Sequence, residues 1–310
     1  MGVLGQHSIS RRAFAGLLAA ATMRGADAGI PALSWSEEVD AAWPQWSSRY
    51  RATAQVLILG MSLLRRENVG GGSVVWRESA GAGPRSRLLE FTGYSSPERA
   101  AGLNRVGLIR EMRLESNGTP EFFYFGFMTS SPEESAEAAR KALHSSAREQ
   151  SYSVIDGRVG PGMTQCVVAH FSAPASEVRT ALLDRARQAV GSGTRQPLNP
   201  GPPAGTFLQT LADGILRRDT SELRYIYSGR SYRMRLSFAS DPNTAAAFAR
   251  RGVEASGDRV LRITGRTRRE AGGKESEFRL WVPELAERPV PLRIEYQPKS
   301  YLRLVFDLEA

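Results

Sequence analysis

Cys166 and His170 could support nucleophilic chemistry, and they lie four positions apart in one apolar segment. Residues four apart on a strand point to the same face, so a thiolate activated by an imidazole is one interpretation. The other, which we prefer, is a core cysteine with a histidine at the exposed end of the strand. The chain has no His-Glu-x-x-His, Cys-x-x-Cys or Gly-x-Ser-x-Gly pattern. We therefore predict no catalytic residue, no metal ligand and no cofactor.

Arginine supplies a second candidate chemistry, because a guanidinium can hold a phosphate or a carboxylate with two parallel hydrogen bonds. Lys and Arg together number 41, and only three of these residues are Lys. Several arginines recur at alternate positions of the last predicted strands, where they would share one sheet face with aromatic side chains. The predicted binding face consists of Arg233, Arg235, Arg279, Trp281, Tyr301 and Arg303.

Cross-strand ion pairs offer an alternative account of this face, and we prefer it. Glu277, Glu295 and Asp307 lie at positions from which they could pair with neighbouring arginines. The face would then be an ordinary solvated surface.

The composition excludes several classes of protein. The single cysteine rules out an intramolecular disulfide framework and a four-cysteine metal site. Charged residues at 24% and apolar residues at 41% are typical of globular chains rather than disordered ones. No run of 18 apolar residues occurs, so we predict no transmembrane anchor.

The first 28 residues have the features of an export signal. Adjacent Arg11 and Arg12 precede an apolar run too short to span a bilayer, and Ala26 and Ala28 form an Ala-x-Ala cleavage site. The pattern is similar to bacterial twin-arginine signals, except that Gly stands where those signals carry Lys. A short basic helix in a cytoplasmic protein is the alternative. We predict a soluble periplasmic protein, and this compartment argues against a nucleic-acid partner despite the net charge of +9.

The rest of the chain is predicted to form one domain. Residues 29–48 read as a leader segment, and residues 49–308 as a single β-rich domain. Helical patterns occupy 132–148 and 175–190, and a Gly- and Pro-rich linker covers 191–205.

Alternation of apolar and polar residues in the last third predicts five strands of an antiparallel sheet. Earlier in the chain, Asn117-Gly118 between two apolar runs predicts a hairpin. Ala54–Leu64 reads as a buried strand with a bend, and Gly70-Gly71-Gly72 as a turn. We predict a mainly β (α+β) fold, an extended curved antiparallel sheet or partial barrel with two or three packed helices.

The motifs of the last third resemble DUF3108, a family of exported bacterial proteins of unknown function. The matching segments are Tyr227–Tyr232, Phe278–Trp281, Pro291–Tyr296 and Ser300–Phe306, and residues 49–69 resemble the family's opening strand pair. The resemblance implies a structural kinship only, since the family has no agreed activity. By architecture alone, the predicted sheet is similar to those of periplasmic lipid and lipoprotein carriers.

Three functional hypotheses follow from these observations. The first is a non-catalytic periplasmic binding or envelope-maintenance protein that holds a lipid, an acyl group or another anionic envelope ligand in the curved sheet. The second is a periplasmic hydrolase with an unrecognised active site. The third is a structural partner in an envelope complex, whose protein partner the sequence does not identify.

Overall fold

The computed structural model of the chain describes residues 43–58, 61–79, 86–100, 104–116, 119–130, 149–160, 163–175, 177–198, 204–250, 259–299 and 301–309. The predicted signal sequence, most of the predicted leader and the predicted helix at 132–148 lie outside the described residues.

One sheet contains all fifteen strands of the described residues, in the order β8-β7-β6-β5-β4-β3-β2-β1-β15-β14-β13-β12-β11-β10-β9. Neighbouring strands are antiparallel, except that β9 and β10 are parallel. The strands are β1 (Gln45–Ile58), β2 (Met61–Glu78), β3 (Arg87–Ser95), β4 (Val106–Ser116), β5 (Thr119–Thr129), β6 (Glu149–Gly160), β7 (Met163–Pro174), β8 (Gln196–Pro197), β9 (Gly205–Thr206), β10 (Glu222–Tyr227), β11 (Arg230–Ser240), β12 (Val260–Arg269), β13 (Ser276–Pro283), β14 (Arg293–Lys299) and β15 (Leu302–Leu308).

The sheet wraps around the central helix α2 (Phe207–Arg217). Leu208 of α2 packs against Trp76 of β2, and Ile215 packs against Tyr225 of β10. These two strands are seven places apart in the sheet, which in a flat sheet would separate them by roughly 34 Å. One helix can touch both only because the sheet curves. We call the face towards α2 the inner face. The terminal strands β8 and β9 do not pair with each other, so the sheet is a partial barrel.

Helix α2 forms because its sequence places apolar side chains at helical spacing. Phe207, Leu211 and Ile215 lie four residues apart and pack against the inner face. The helix ends at Arg218, which adopts a left-handed conformation with φ 51°. Its position fills one end of the curved sheet with apolar contacts.

Two further helices of the described residues lie on the opposite, outer face of the sheet. Helix α1 (Arg179–Gly191) buries Leu182 and Ala186, which are four positions apart, against β6 and β7. Helix α3 (Pro242–Ala249) packs Phe248 onto the outer side of β12 and β13.

The predicted fold class is confirmed: the protein is mainly β, with a large curved sheet and packed helices. Strands β4 and β5 form the hairpin predicted at Asn117-Gly118. The helix predicted at 175–190 is observed as α1, shifted by a few residues. None of the helices in the described part of the chain is long and apolar enough to cross a membrane.

The start of the sheet differs from the sequence prediction. Gly70-Gly71-Gly72 is not a turn but lies inside β2, where a Cβ on Gly70 would come within 2.0 Å of the Tyr94 carbonyl oxygen. Glycine therefore allows β3 to approach. Ala54–Leu64 is not one buried strand but spans parts of β1 and β2, which pair as a hairpin. Strand β1 begins at Gln45, inside the predicted leader.

Candidate ligand-binding interior

An apolar row crosses the inner face above α2. The strand register places five residues of β3 to β7 side by side, and directly opposed residues of antiparallel strands share a face. Val168, at the end of the row, exposes 52% of its surface although it faces inward. The row consists of Phe91, Ile109, Gly126, Ile155 and Val168.

A second row, next to the first, contains three glycines. Gly72, Gly93 and Gly107 are directly opposed on β2, β3 and β4. A Cβ on Gly93 or Gly107 would meet its nearest neighbours only at 3.6 to 3.7 Å, which is ordinary contact. Neither residue has a positive φ. Neither local crowding nor backbone conformation therefore requires glycine at these two positions, and a side chain could be accommodated at either of them.

Aromatic side chains line the interior on the side of β10 to β14. Tyr296 of β14 exposes 43% of its surface, yet burial raises the pKa of its hydroxyl. Burial, and then the nearby Tyr232 and Glu111, raises the pKa of Tyr227 to about 12, with Tyr296 also contributing. The tyrosine hydroxyls are therefore neutral at physiological pH and act only as hydrogen-bonding groups.

The carboxylate of Glu111 closes the lower end of this space. It lies at the N-terminus of α2 and accepts the backbone N–H of Gln209 at 3.0 Å. Complete burial raises the pKa of Glu111 to about 7, although the N–H groups at the start of α2 lower it. The Gln209 side-chain amide donates to the carbonyl oxygens of Arg87 and Glu111, at 3.2 and 3.0 Å. The network anchors α2 to β3 and β4.

Ion pairs continue this network below α2. Arg87, which is 7% exposed, donates to Gln209 Oε1 at 2.8 Å and to Asp213 at 2.6 Å. Arg113 of β4 reaches the second oxygen of Asp213 at 2.8 Å. Buried charges persist only when paired in this way. Paired polar contacts therefore hold this end of the interior together.

A charged cleft of about 320 Å³ lies on the far side of α2, next to β5, β9 and β10. Each charged residue of the cleft already has an ion-pair or hydrogen-bond partner. The charged side chains of the cleft are therefore held by contacts within the protein, and none of them is placed there without a partner. These charged residues are Asp213, Arg217, Asp219, Glu222 and Arg224.

Cys166 and His170 both face inward from β7, as the spacing predicts, but they do not form a pair. Cys166 is 3% exposed and packs with Tyr124 and Ile226. Burial raises the pKa of its thiol, which disfavours the thiolate that nucleophilic catalysis needs. His170 is exposed, and its Nδ1 lies 3.2 Å from the Ser153 hydroxyl. The preferred interpretation, a core cysteine with a histidine at the exposed end, matches this geometry.

The predicted arginine face exists as a geometric feature on the outer side of β10 to β15. The register aligns Arg233 with Arg268, and Arg279 with Glu295. Carboxylates occupy the positions between the arginines. Arg233 pairs with Glu222 at 3.0 Å. Further ion pairs of this face are Arg235–Glu222, Arg233–Glu270, Arg279–Glu277, Arg279–Glu295 and Arg293–Asp307.

The remaining members of the predicted face are dispersed. Trp281 is 5% exposed beneath α3, and its Nε1–H donates to Asp241 at 2.8 Å. A ring that is covered in this way cannot stack on a ligand. Tyr301 lies in the turn between β14 and β15 and is 51% exposed. Arg303 lies opposite Gln55 of β1. The structure thus brings Arg233, Arg235 and Arg279 onto one ion-paired surface, separate from the interior.

Sequence reasoning did not identify the interior positions. Gly107 and Gly126 fall on the same alternation as Ile109, but this pattern of small and apolar residues appears in the sequence only as part of ordinary strands. The run Phe122–Met128, in which Gly126 interrupts aromatic residues, is the one sequence feature that pointed to these positions. The sequence does not show that these positions form a row, because the row depends on the register of five strands.

Comparisons with known proteins leave the family of the chain open. No protein-family model matches the chain, and no curated protein matches it. Among solved structures, it is similar to a β-barrel-like protein of a domain of unknown function, DUF1849, from Brucella abortus. The sequence identity is 8% and the TM-score 0.43, over 85% of this chain and 95% of that one. A similarity this distant carries no argument about function.

Proposed function

We propose that this protein is a non-catalytic binding protein of the bacterial envelope that holds a lipid or acyl ligand in the open end of its curved sheet. The observation that carries the proposal is the inner face above α2, where the exposed Val168 and half-buried apolar side chains lie beside two glycines whose positions would accommodate a side chain without crowding.

The chemistry of this surface favours an acyl chain over a polar ligand. The row from Phe91 to Val168 has no charged member, and each methylene that it removes from water contributes about 0.8 kcal/mol. Tyrosine hydroxyls at the opposite wall can hydrogen-bond a carboxyl or ester group without carrying a charge. Small glycine positions suit a long, flexible chain that lies flat on the strands.

A binding role rather than catalysis is supported by the state of the reactive groups. The buried Cys166 favours the neutral thiol, and His170 contacts Ser153 rather than the cysteine. Export to the periplasm is part of the proposal and rests on the signal pattern around Arg11 and Arg12. Membership of the DUF3108 family is likewise proposed from the strand motifs of the last third.

Lipid analysis of the exported protein tests this function. The full chain would be expressed with its own signal in a Gram-negative host and purified from the periplasm without detergent. Mass spectrometry of the organic extract should then find a lipid or fatty acid at close to one per protein. A protein that emerges empty, and that also fails to bind a dansyl-labelled fatty acid, would contradict the proposal.

The variant Gly107→Leu separates ligand binding from folding. A Cβ at this position meets its neighbours only at ordinary contact distance, so a leucine side chain would project from the inner face into the proposed site. It would displace about two methylenes of ligand, which corresponds to roughly tenfold weaker binding of the dansyl-labelled fatty acid. The midpoint of urea unfolding should stay equal or rise, because glycine weakens strand interiors. Gly191→Leu, at an exposed position with nothing within 4 Å of the new Cβ, is the control and should leave binding unchanged.

A further inference from the structure

In the hairpin of β1 and β2, strand β2 extends well beyond its neighbour β3. Strand β15 pairs with β1 only as far as Val56, and β3 pairs with β2 only from Gly70 onwards. The first part of β2 therefore pairs with β1 on one side and has no strand partner among the described residues on its other side. Near its tip this ribbon of β1 and β2 is held to the turn between β14 and β15 by Leu57, which lies opposite Ser62, is buried and donates its N–H to the Tyr301 carbonyl at 2.8 Å.

The ribbon exposes apolar side chains that nothing in the described structure covers. Met61, Leu63 and Leu64 expose 65%, 60% and 68% of their surfaces, and Val56 exposes 37%. The sequence from Val56 to Leu64 contains no charged residue. Single exposed apolar residues are common on protein surfaces, but a contiguous group of this kind marks an interaction site.

Basic residues surround the base of the ribbon. Arg65 and Arg66 directly follow the apolar run and are exposed. Gln55 lies opposite Arg65 on one side and Arg303 on the other, so a third arginine is next to them. Glu67, which pairs with Arg65 at 3.0 Å, is the acidic group at this base. The exposed ring of Tyr301 lies at the same end of the sheet.

We propose that this ribbon inserts into the interface of a membrane rich in anionic lipids. From Leu64 to the start of β2 at Met61 the strand rises about 10 Å, close to the depth of roughly 5–10 Å at which interfacial elements bury their apolar side chains. At that depth Arg65, Arg66 and Arg303 reach lipid phosphates. Tyr301, whose carbonyl oxygen accepts the Leu57 N–H, lies level with the apolar tip and enters the interface, where tyrosine is enriched. The apolar tip and the basic base thus match the two layers of a membrane surface in order.

The inference goes beyond the proposed function, since a protein can dock on a membrane whether or not it holds a ligand. The two are also contiguous, because Ala54 and Val56 of the inner face lead directly onto the ribbon. A ligand that leaves the interior at this end would meet the membrane.

Vesicle flotation tests the docking surface with the purified full chain. We expect binding to vesicles of phosphatidylcholine with 30% phosphatidylglycerol and much weaker binding to phosphatidylcholine alone. Leu63→Asp with Leu64→Asp should reduce binding to the anionic vesicles more than tenfold, because two leucine side chains no longer enter the interface. Val178→Asp with Leu285→Asp is the matched control, since these residues are 66% and 79% exposed elsewhere; it should bind as the wild type does.

Charge reversal tests the basic base separately. Arg65→Glu with Arg66→Glu should lower binding to anionic vesicles about tenfold or more, since each basic residue near such a surface contributes about 1 kcal/mol. Arg235→Glu with Arg266→Glu, which changes the net charge equally on the outer face, should have a much smaller effect.

A fluorophore at the tip reports insertion directly. A nitrobenzoxadiazole label on Leu64→Cys should brighten several-fold with anionic vesicles, while the same label on Leu285→Cys should not; Cys166 is too buried to compete for the label. Equal vesicle binding by the wild type and the leucine variant would overturn the proposal. So would light scattering that shows a dimer dissociated by the same leucine substitutions without any vesicle binding, because the ribbon would then pair two copies of the chain.

Discussion

The two ends of the inner face are built from the same strands but have opposite characters. Around α2, the inner positions of β3 and β4 are Arg87, Glu111 and Arg113, and every one of them contacts the helix. A few residues further along the same strands, the inner positions are Phe91, which packs edge-to-face on Phe306, and Gly93 and Gly107, which have no side chain. The strands themselves are continuous. The side chains on their inner face therefore determine which end is covered by the helix and which end is left uncovered.

The comparison also separates stability from binding. Buried polar groups around α2 are costly when a partner is lost, so this end should dominate the free energy of unfolding. The open end contributes little packing and can change without unfolding the protein. Substitutions at the two ends should therefore affect different measurements.

Removing Arg87 should give the largest loss of stability. Arg87→Met deletes the hydrogen bond to Gln209 and the ion pair to Asp213, both nearly buried, and leaves Asp213 with fewer partners. We expect the free energy of unfolding to fall by about 3 kcal/mol, since breaking a buried pair on one side typically costs 3–5 kcal/mol. Urea denaturation followed by circular dichroism measures this change. A loss no larger than that of a surface arginine would contradict the view that the α2 end carries the stability.

The pH dependence of stability should reveal Glu111. Its pKa rises from 4.5 to about 7 on folding, so the folded protein keeps a proton that the unfolded chain releases. The free energy of unfolding therefore falls as pH rises from about 4.5 to 7, by about 3 kcal/mol from this group. Glu111→Gln cannot ionise and should lose most of this slope. Unfolding curves of both proteins at pH 5, 6, 7 and 8 would test this; parallel pH profiles would show that Glu111 is not the titrating group.

An arginine of the outer face should matter least. Arg235, with its side chain 72% exposed, pairs with Glu222 at 3.4 Å. Exposed pairs of this kind contribute about 0–1 kcal/mol, so Arg235→Met should change the free energy of unfolding by less than about 1 kcal/mol. The same urea experiment measures it. An effect as large as that of Arg87 would mean that the outer ion-pair network, rather than the α2 end, holds the fold.

The fold class could be predicted from the sequence, but only part of the candidate site could be. Alternation in the last strands reflects local physics, because a strand with one buried face must place apolar residues at every second position. The outer arginines and their carboxylates could therefore be paired from sequence. The contact between Glu111 and Gln209, by contrast, joins residues 98 positions apart. It depends on the sheet curving around α2, which no local pattern encodes.

Glycine positions were ambiguous for the same reason. In sequence, Gly70-Gly71-Gly72 has the composition of a turn, whereas in the structure it is the place where β3 approaches β2. Gly93 and Gly107 belong to one row only through the pairing of β3 with β4, which the sequence alone does not show. The exposed ribbon was also missed, because apolar residues such as Leu63 and Leu64 are usually buried in strands.

Photocrosslinking of a bound fatty acid tests the central claim most directly. A fatty acid with a diazirine in its chain would be bound to the full-length exported protein and activated by light, and the labelled peptides identified by mass spectrometry. The account predicts labels on inner-face residues of the open end, such as Ile109, Val168 and Tyr296. Labels confined to the outer face, or spread evenly over the exposed apolar residues, would contradict a ligand site inside the curved sheet.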